Sequence, residues 1–308
     1  MKADAALDRL LSDEAAPGTF PDGADFRIEI PSVEGPRVLE TVIAAGAEEG
    51  VVVNRVSQGS GAMLLREEEL REMAALGAEY GIEVSLFVGP RESYDITAHA
   101  RTEDGSGHGG QLRGLRGLRY AVEDIARAAE CGIRSFLIPD IGLLALVNEL
   151  QRTGELPSTI VWKVSVMLAP SNPLALRELE RVGASTVNVP SDMSVDTLRE
   201  MRAATALPID LYVESPDSLG GVVRGDELGD LVRAAAPLYA KFGLRNSRPI
   251  YPSGLHLLDE ARAIAREKVH RAAAALEWCN RLSPGLVQSA PEAEGLGIPQ
   301  PETAGSVG

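Results

Sequence analysis

The chain has 308 residues, of which 44% are hydrophobic and only 4% aromatic, a composition that suits one large aliphatic core. Its formal net charge of -15 argues against nucleic acid as a partner, because phosphodiester backbones carry the same sign. Two cysteines, Cys131 and Cys279, are too few for a disulfide framework, which fits a cytoplasmic location. The sequence also contains no apolar run near the roughly 20 residues that cross a bilayer and no signal peptide pattern, so we expect no membrane association.

Apolar runs alternate with helical periods along most of the chain. A short amphipathic helix with Leu7, Leu10 and Leu11 breaks at Pro17-Gly18, and we expect it to close one end of a barrel. Eight strand candidates follow, each with a helix candidate after it, at residues 26–30, 50–57, 82–88, 135–139, 159–169, 185–189, 208–213 and 238–244. This count predicts a (β/α)8 TIM barrel. An open doubly wound sheet is the main alternative, but residues 31–35 lack its glycine-rich fingerprint.

The predicted organisation has three parts. Residues 1–24 form an N-terminal helix and lead-in, and residues 25–282 form the barrel. Residues 283–308 are rich in Pro, Gly, Ser and Glu, which predicts a mobile tail. The longest irregular stretch inside the barrel, residues 92–114, carries His99 and His108 in a glycine-rich context and is either a lid or anion-binding loop, or a flexible connection.

Three segments resemble the collagenase-like TIM-barrel proteins classed as U-32 peptidases. They are residues 131–144 (CGIRSFLIPDIGLL), 172–184 (NPLALRELERVGA) and 193–201 (MSVDTLREM). The resemblance implies a barrel and names peptide hydrolysis as an activity. Many members of that family carry cysteines after the seventh strand, which in some bind an iron–sulfur cluster. Residues 214–221 contain none here, so we expect no iron–sulfur cluster.

Alternation along the strands predicts which polar side chains point into the barrel. The last inward residues of several strands meet at the mouth, the end formed by the carboxyl ends of the strands. The pattern nominates Glu29, Arg55, Asp140, Lys163, Asn188, Glu214, Lys241 and Arg245. The loops after the seventh and eighth strands, residues 217–221 and 244–248, lie where many barrels bind phosphate.

Each residue type suggests a role. Lys163 and Glu214 are the predicted acid/base pair, with Lys163 also suited to Schiff-base chemistry. Glu29, Asp140 and Glu214 would form an oxygen-rich site for Mg²⁺ or Mn²⁺, or Glu29 and Asp140 would instead orient Lys163. The predicted substrate-binding residues, which would hold a carboxylate or phosphate, are Arg55, Asn188, Lys241, Arg245, His99 and His108. For the two histidines, a general acid/base role or metal binding is the alternative.

The sequence therefore predicts a barrel enzyme for a small anionic molecule, of lyase or isomerase type. Two alternatives stay open: a peptide or amide hydrolase, and a non-catalytic binding or partner barrel in which the interior charges form structural ion pairs. Barrels often dimerise, so a homodimer is compatible with the sequence, which does not specify one.

Overall fold

A computed structural model of the chain describes residues 18–89 and 110–301, together with residues 4, 6, 7, 10 and 11. Its strands are β1 Phe26–Pro31, β2 Arg55–Ser57, β3 Glu83–Phe87, β4 Ser135–Ile138, β5 Val161–Val164, β6 Thr186–Asn188, β7 Ile209–Glu214 and β8 Leu238–Phe242. Each strand pairs in parallel with its neighbours in chain order, and β8 pairs with β1. The chain is therefore the (β/α)8 barrel that the periodicity predicts.

A helix follows each strand on the outside of the barrel. The helices are α1 Pro36–Glu49, α2 Glu67–Tyr80, α3 Gly114–Glu130, α4 Ile141–Arg152, α5 Pro173–Val182, α6 Val195–Ala203, α7 Leu228–Ala235 and α8 Leu258–Leu282. The side chains of Asp140, Asn172 and Ser194 cap α4, α5 and α6 by accepting a hydrogen bond from a backbone N–H of the first turn. Across the described residues, none of these helices is both long enough and apolar enough to pass through a bilayer.

Two strands are shorter than their apolar runs. β2 covers only the end of the predicted strand 50–57, and β5 covers only the start of the predicted strand 159–169. After β5, the Ser165 hydroxyl accepts a hydrogen bond from Met167 N at 3.2 Å and starts a 3-10 turn over Val166–Leu168. This local hydrogen bond competes with the pairing of the backbone to the neighbouring strand, so β5 ends early. The alternation of side chains in the sequence does not reveal this competition.

The segment that follows α8 closes the amino end of the barrel. Ser289 N donates to Phe26 O at 3.1 Å, and the Asn54 amide donates to Ser289 O at 3.0 Å. Gly297 N donates to a carboxylate oxygen of Glu83 inside the barrel at 3.1 Å. The predicted mobile tail is therefore wrong for residues 283–301, while residues 302–308 lie outside the described residues.

The prediction of a mobile tail from composition failed because residues 283–301 contact the barrel through their backbone. It supplies N–H and C=O partners to buried polar groups of the barrel, a use that needs few apolar side chains. The predicted N-terminal helix lies largely outside the described residues. From the lead-in, Phe20 is buried with the Arg27 guanidinium 4.0 Å above its ring.

Gly297→Ala should test this closure, with an expected loss of about 1–3 kcal/mol in the free energy of unfolding. A Cβ at this position would lie 2.7 Å from the backbone oxygen of Arg134, which cannot move easily. Urea denaturation measures the loss. Gly254→Ala is the matched control, because its Cβ would approach only the movable His256 ring, at 3.3 Å. Equal stability of both variants would mean that residues 283–301 do not pack as described.

Candidate functional site

The barrel interior is filled by polar side chains in layers. Following the strand registers around the closed sheet places residues from alternate strands at one level, as in other barrels. The central level consists of Glu29, Ser85, Lys163 and Asp210. The level toward the mouth consists of Ser57, Leu137, Asn188 and Lys241, and the level below consists of Arg55, Ser135, Thr186 and Tyr239.

Glu29 is the centre of this network. Both of its carboxylate oxygens accept hydrogen bonds from Lys163 Nζ, and one also accepts from Ser57 Oγ at 2.7 Å. Arg55 Nη1 and Lys241 Nζ each lie 3.4 Å from the carboxylate. Burial alone would raise the pKa of Glu29, but the three cations outweigh it and hold that pKa well below its usual range. Glu29 is therefore a permanent anion.

Lys163 and Lys241 share Glu29 but differ in protonation. Burial lowers the pKa of Lys163 to about 7, against the opposing effect of Glu29, and the neighbouring charge of Lys241 adds to the lowering. Burial also acts on Lys241, but Glu29 and other neighbours outweigh it and raise its pKa. The Lys241 ammonium also donates to Asn188 Oδ1 and lies 4.3 Å from the centre of the Tyr212 ring. Lys163 is thus the member of the pair that can lose its proton near neutral pH.

Arg55 ties the lower part of the network together. Its Nη1 donates to Asp210 at 2.8 Å, and its guanidinium carbon lies 3.4 Å from the centre of the Tyr239 ring. Arg55 Nε lies 2.7 Å from Glu83 as an ion pair, but the N–H is not aligned for a hydrogen bond to it. Burial opposes the charge of Arg55, yet the carboxylates, Glu83 first, raise its pKa. Arg55 therefore orders carboxylates inside the barrel instead of facing the mouth.

The structure brings together five of the predicted site residues and separates three others. Glu29, Arg55, Lys163, Asn188 and Lys241 are all in the interior network. A register shift between Tyr212 and Glu214 pairs Glu214 with Phe242, so that its carboxylate accepts from Arg245 N at 3.0 Å. His99 and His108 lie outside the described residues.

Asp140 and Arg245 also lie away from the network. The Asp140 carboxylate caps α4 and accepts from Leu112 N at 3.1 Å. The Arg245 side chain is 59% exposed and lies 4.0 Å from Asp217. Within residues 18–89 and 110–301, no three His, Cys, Asp or Glu side chains are grouped to hold a metal ion. The predicted metal site of Glu29, Asp140 and Glu214 is therefore wrong as a set of residues.

The predicted phosphate position after β7 and β8 is taken by carboxylates of the chain itself. Asn246 N donates to Asp217 at 2.6 Å, and Arg245 N donates to Glu214. These two backbone N–H groups, which a phosphate could use, are therefore already donated to carboxylates.

Sequence reasoning missed several members of the network. Asp210, Glu83 and Ser85 follow the same alternation as the nominated residues and could have been found by applying it to β3 and β7. A second signal lies in composition. The chain has 26 arginines but only four lysines, and three of those four, Lys163, Lys241 and Lys268, are buried.

Strained backbone also marks the mouth. Ser32, Ala169 and Asn246 have φ values of 64°, 41° and 56°, in the left-handed region, and follow β1, β5 and β8. Non-glycine residues rarely adopt this conformation, and it persists where surrounding structure enforces it, often near functional sites. Glu292, with a φ of 57°, lies in the segment that closes the amino end, so strained backbone occurs at both ends of the barrel.

Neither protein-family models nor curated proteins match the chain. Solved structures with a similar barrel include the U32 peptidase Mk0906, at 16% identity and a TM-score of 0.41 over 69% of this chain and 76% of that one. Thiamine phosphate pyrophosphorylase from Pyrococcus furiosus matches at 10% identity and a TM-score of 0.46, over 83% of this chain and 98% of that one.

A third similar structure is 2,3-dimethylmalate lyase, a PEP mutase/isocitrate lyase superfamily member. It is 12% identical, with a TM-score of 0.43 over 92% of this chain and 90% of that one. At these identities and TM-scores, the comparisons assign neither a family nor an activity to the chain. The evidence for function therefore comes from the interior network itself.

The lowered pKa of Lys163 predicts that stability rises with pH above neutrality. The folded pKa of about 7 is below the roughly 10.4 of an unfolded lysine, so between these values the unfolded chain binds the extra proton. The free energy of unfolding should therefore rise from pH 7 to about 9.5, by up to roughly 1.4 kcal/mol per pH unit for one proton. Lys268, whose pKa burial lowers to about 8, adds the same sign above pH 8.

Urea denaturation at pH 7, 8 and 9 measures this dependence. Lys163→Met should remove most of the rise between pH 7 and 8, because Lys163, with a pKa of about 7, contributes more of the proton difference in this range than Lys268, with a pKa of about 8. A wild-type stability that is constant or falls over this range would show that Lys163 stays charged.

Proposed function

We propose that the chain is a barrel enzyme that transfers protons on a small anionic substrate at the mouth, in a lyase or isomerase type of reaction. The observation that carries this proposal is the Lys163–Glu29 pair. It joins a lysine that is half neutral near pH 7 to a carboxylate whose charge does not change. A proton carrier works best when its pKa lies near the working pH.

The other residues have supporting roles. Glu29 orients Lys163 and takes part of the charge when the proton returns. Lys241 and Asn188, which lie one level nearer the mouth, would hold a carboxylate or phosphate of the substrate. Arg55 positions Glu29 through their contact at 3.4 Å and does not face the substrate.

A non-catalytic binding or partner barrel is the second candidate. It is favoured by one observation: the side chains of Glu29, Arg55 and Lys163 are 0% exposed and already paired with each other. Interior ion networks of this kind also occur as structural elements. The experiment below also tests peptide hydrolysis, the activity in the name of the U32 peptidase. It tests a requirement for Mg²⁺ or Mn²⁺ as well.

Deuterium exchange tests the proposal without knowledge of the complete reaction. The protein is incubated in D₂O with pools of small carboxylates and phosphate monoesters, with and without Mg²⁺ or Mn²⁺, and carbon-bound deuterium is measured by NMR. A parallel arm uses a peptide library. We expect exchange in the wild type that Lys163→Met and Glu29→Gln abolish.

Glu214→Gln is the matched control, because Glu214 lies outside the network, and it should retain exchange. Exchange that persists in Lys163→Met, or ligand binding with no exchange, would favour the non-catalytic barrel. Cleavage of peptides that depends on Lys163 would favour the hydrolase.

A further inference from the structure

We infer that Lys163 forms a covalent imine with the carbonyl carbon of a small 2-oxo acid. This inference rests on the proposed function and names the substrate class and the bond. Three observations support it: the sharing of Glu29 among several donors, the distribution of lysines, and an unpaired hydroxyl at the level of Lys163 in the barrel. The reaction also balances in charge.

Glu29 does not need Lys163 to remain compensated. When the Lys163 amine is neutral, the carboxylate still has Lys241 and Arg55 at 3.4 Å and the Ser57 hydroxyl at 2.7 Å. Lys241 has no such freedom, because Glu29 raises its pKa and its ammonium also holds Asn188. The network can therefore present Lys163 as a neutral amine without leaving an isolated buried charge, and a neutral amine is the nucleophile in imine formation.

The positions of the few lysines in the sequence also single out the Lys163 amine. A chain that uses arginine for 26 of its 30 basic residues has lysine at two neighbouring positions inside the barrel. Arginine and lysine are alternative surface cations, but only lysine can lose its proton and act as a nucleophile near neutral pH. Charge balance alone would not require a lysine at position 163.

Ser85 supplies a place for the oxygen of the substrate. It lies at the same level as Lys163 and Glu29, is 0% exposed, and its hydroxyl has no hydrogen-bond partner among the described residues. Buried hydroxyls are normally satisfied, so an unpaired one in a polar interior indicates a missing partner. Lys241 and Asn188, one level toward the mouth, lie where the carboxylate of a 2-oxo acid would follow its carbonyl group.

The reaction balances in atoms and charge. The lone pair of the neutral Lys163 nitrogen attacks the carbonyl carbon, the C=O π bond breaks, and one proton moves from the nitrogen to the oxygen while Glu29 stays ionised. The resulting carbinolamine takes up the proton that Lys163 released, its C–O bond breaks to release water, and the nitrogen lone pair forms C=N. Because the product is an iminium cation, Glu29 faces one positive charge at this position before and after the reaction.

Reductive trapping tests the inference on the full chain. The protein is incubated at pH 7 with glyoxylate, pyruvate or uncharged formaldehyde plus cyanoborohydride, and adducts are mapped by peptide mass spectrometry. At pH 7 about half of the Lys163 amines are neutral, against roughly 4 in 10,000 for a lysine of ordinary pKa, so Lys163 should be modified well ahead of such a lysine. Its rate should rise with pH around a midpoint near 7.

Three variants test which residues the adduct requires. Lys163→Arg should remove the adduct, and Lys268→Arg, at the other buried lysine outside the network, should keep it. Ser85→Ala deletes an unpaired hydroxyl, so it should leave stability unchanged while slowing trapping of glyoxylate severalfold more than trapping of formaldehyde. Equal slowing of both reagents would remove Ser85 from the site.

One outcome overturns the imine. In that outcome, no reagent modifies Lys163 in the native protein, but Lys163 reacts once the chain is unfolded in urea. Deuterium exchange that depends on Lys163 would in that case still support the proposed acid/base function, so the two hypotheses fail separately. Trapping of formaldehyde without glyoxylate or pyruvate would contradict the 2-oxo acid as substrate class.

Discussion

Glu29→Gln is expected to lower the free energy of unfolding at pH 7 by about 3–5 kcal/mol, the range for removing one partner of a buried ion pair. The variant leaves Lys163, Lys241 and Arg55 around a neutral amide. The deficit relative to wild type should widen as pH falls from 7 to 5. Without the carboxylate the Lys163 pKa falls further, so the folded variant must stay deprotonated where the unfolded chain is protonated.

Urea denaturation at pH 5, 6 and 7 measures both effects. Glu178→Gln is a control, because its side chain is 63% exposed in a pair with Arg181 and should contribute less than about 1 kcal/mol. A Glu29→Gln variant as stable as wild type would show that the three cations do not depend on this carboxylate.

Arg55→Met is the second substitution with a large expected effect, again about 3–5 kcal/mol at pH 7. It removes the cation from Glu83 and Asp210, both 0% exposed, and the guanidinium that stacks on Tyr239. Arg55→Lys should recover only part of this loss, because one ammonium cannot reproduce the fork that reaches both carboxylates. Thermal or urea unfolding gives the values.

A double-mutant cycle separates the contribution of the pair from the penalty of an unpaired charge. In the Arg55→Met background, Asp210→Asn should be less destabilising than in wild type, because it removes a carboxylate that has already lost its cation. Strict additivity of the two substitutions would contradict the 2.8 Å contact between Arg55 and Asp210.

These stability effects bear on function, because a structural network and a reactive one make different demands on the same residues. A purely structural network needs each charge to be permanent and paired. Lys163 departs from this requirement, since its pKa of about 7 leaves it neutral in half of the molecules near neutral pH. Under the proposed function, Arg55, Glu83 and Asp210 form a stable frame that supports the titrating Lys163.

The sequence by itself determined the barrel and much of its interior. Period-2 runs alternating with helical periods gave eight βα units, and side-chain parity placed Glu29, Arg55, Lys163, Asn188 and Lys241 inside. Both follow from local geometry, because the repeat of a strand or helix is set by neighbouring residues. The residues that parity placed correctly lie within regular strands.

Only the tertiary structure decided which partners meet. The register shift at Glu214 turned that carboxylate toward Arg245, and the cap of α4 removed Asp140, so that no site of three carboxylates forms among the described residues. The stagger of the closed sheet set Lys163 beside Glu29, 134 residues away in the chain. Such contacts depend on how distant strands align, and that alignment is a property of the whole barrel that no single stretch of sequence encodes.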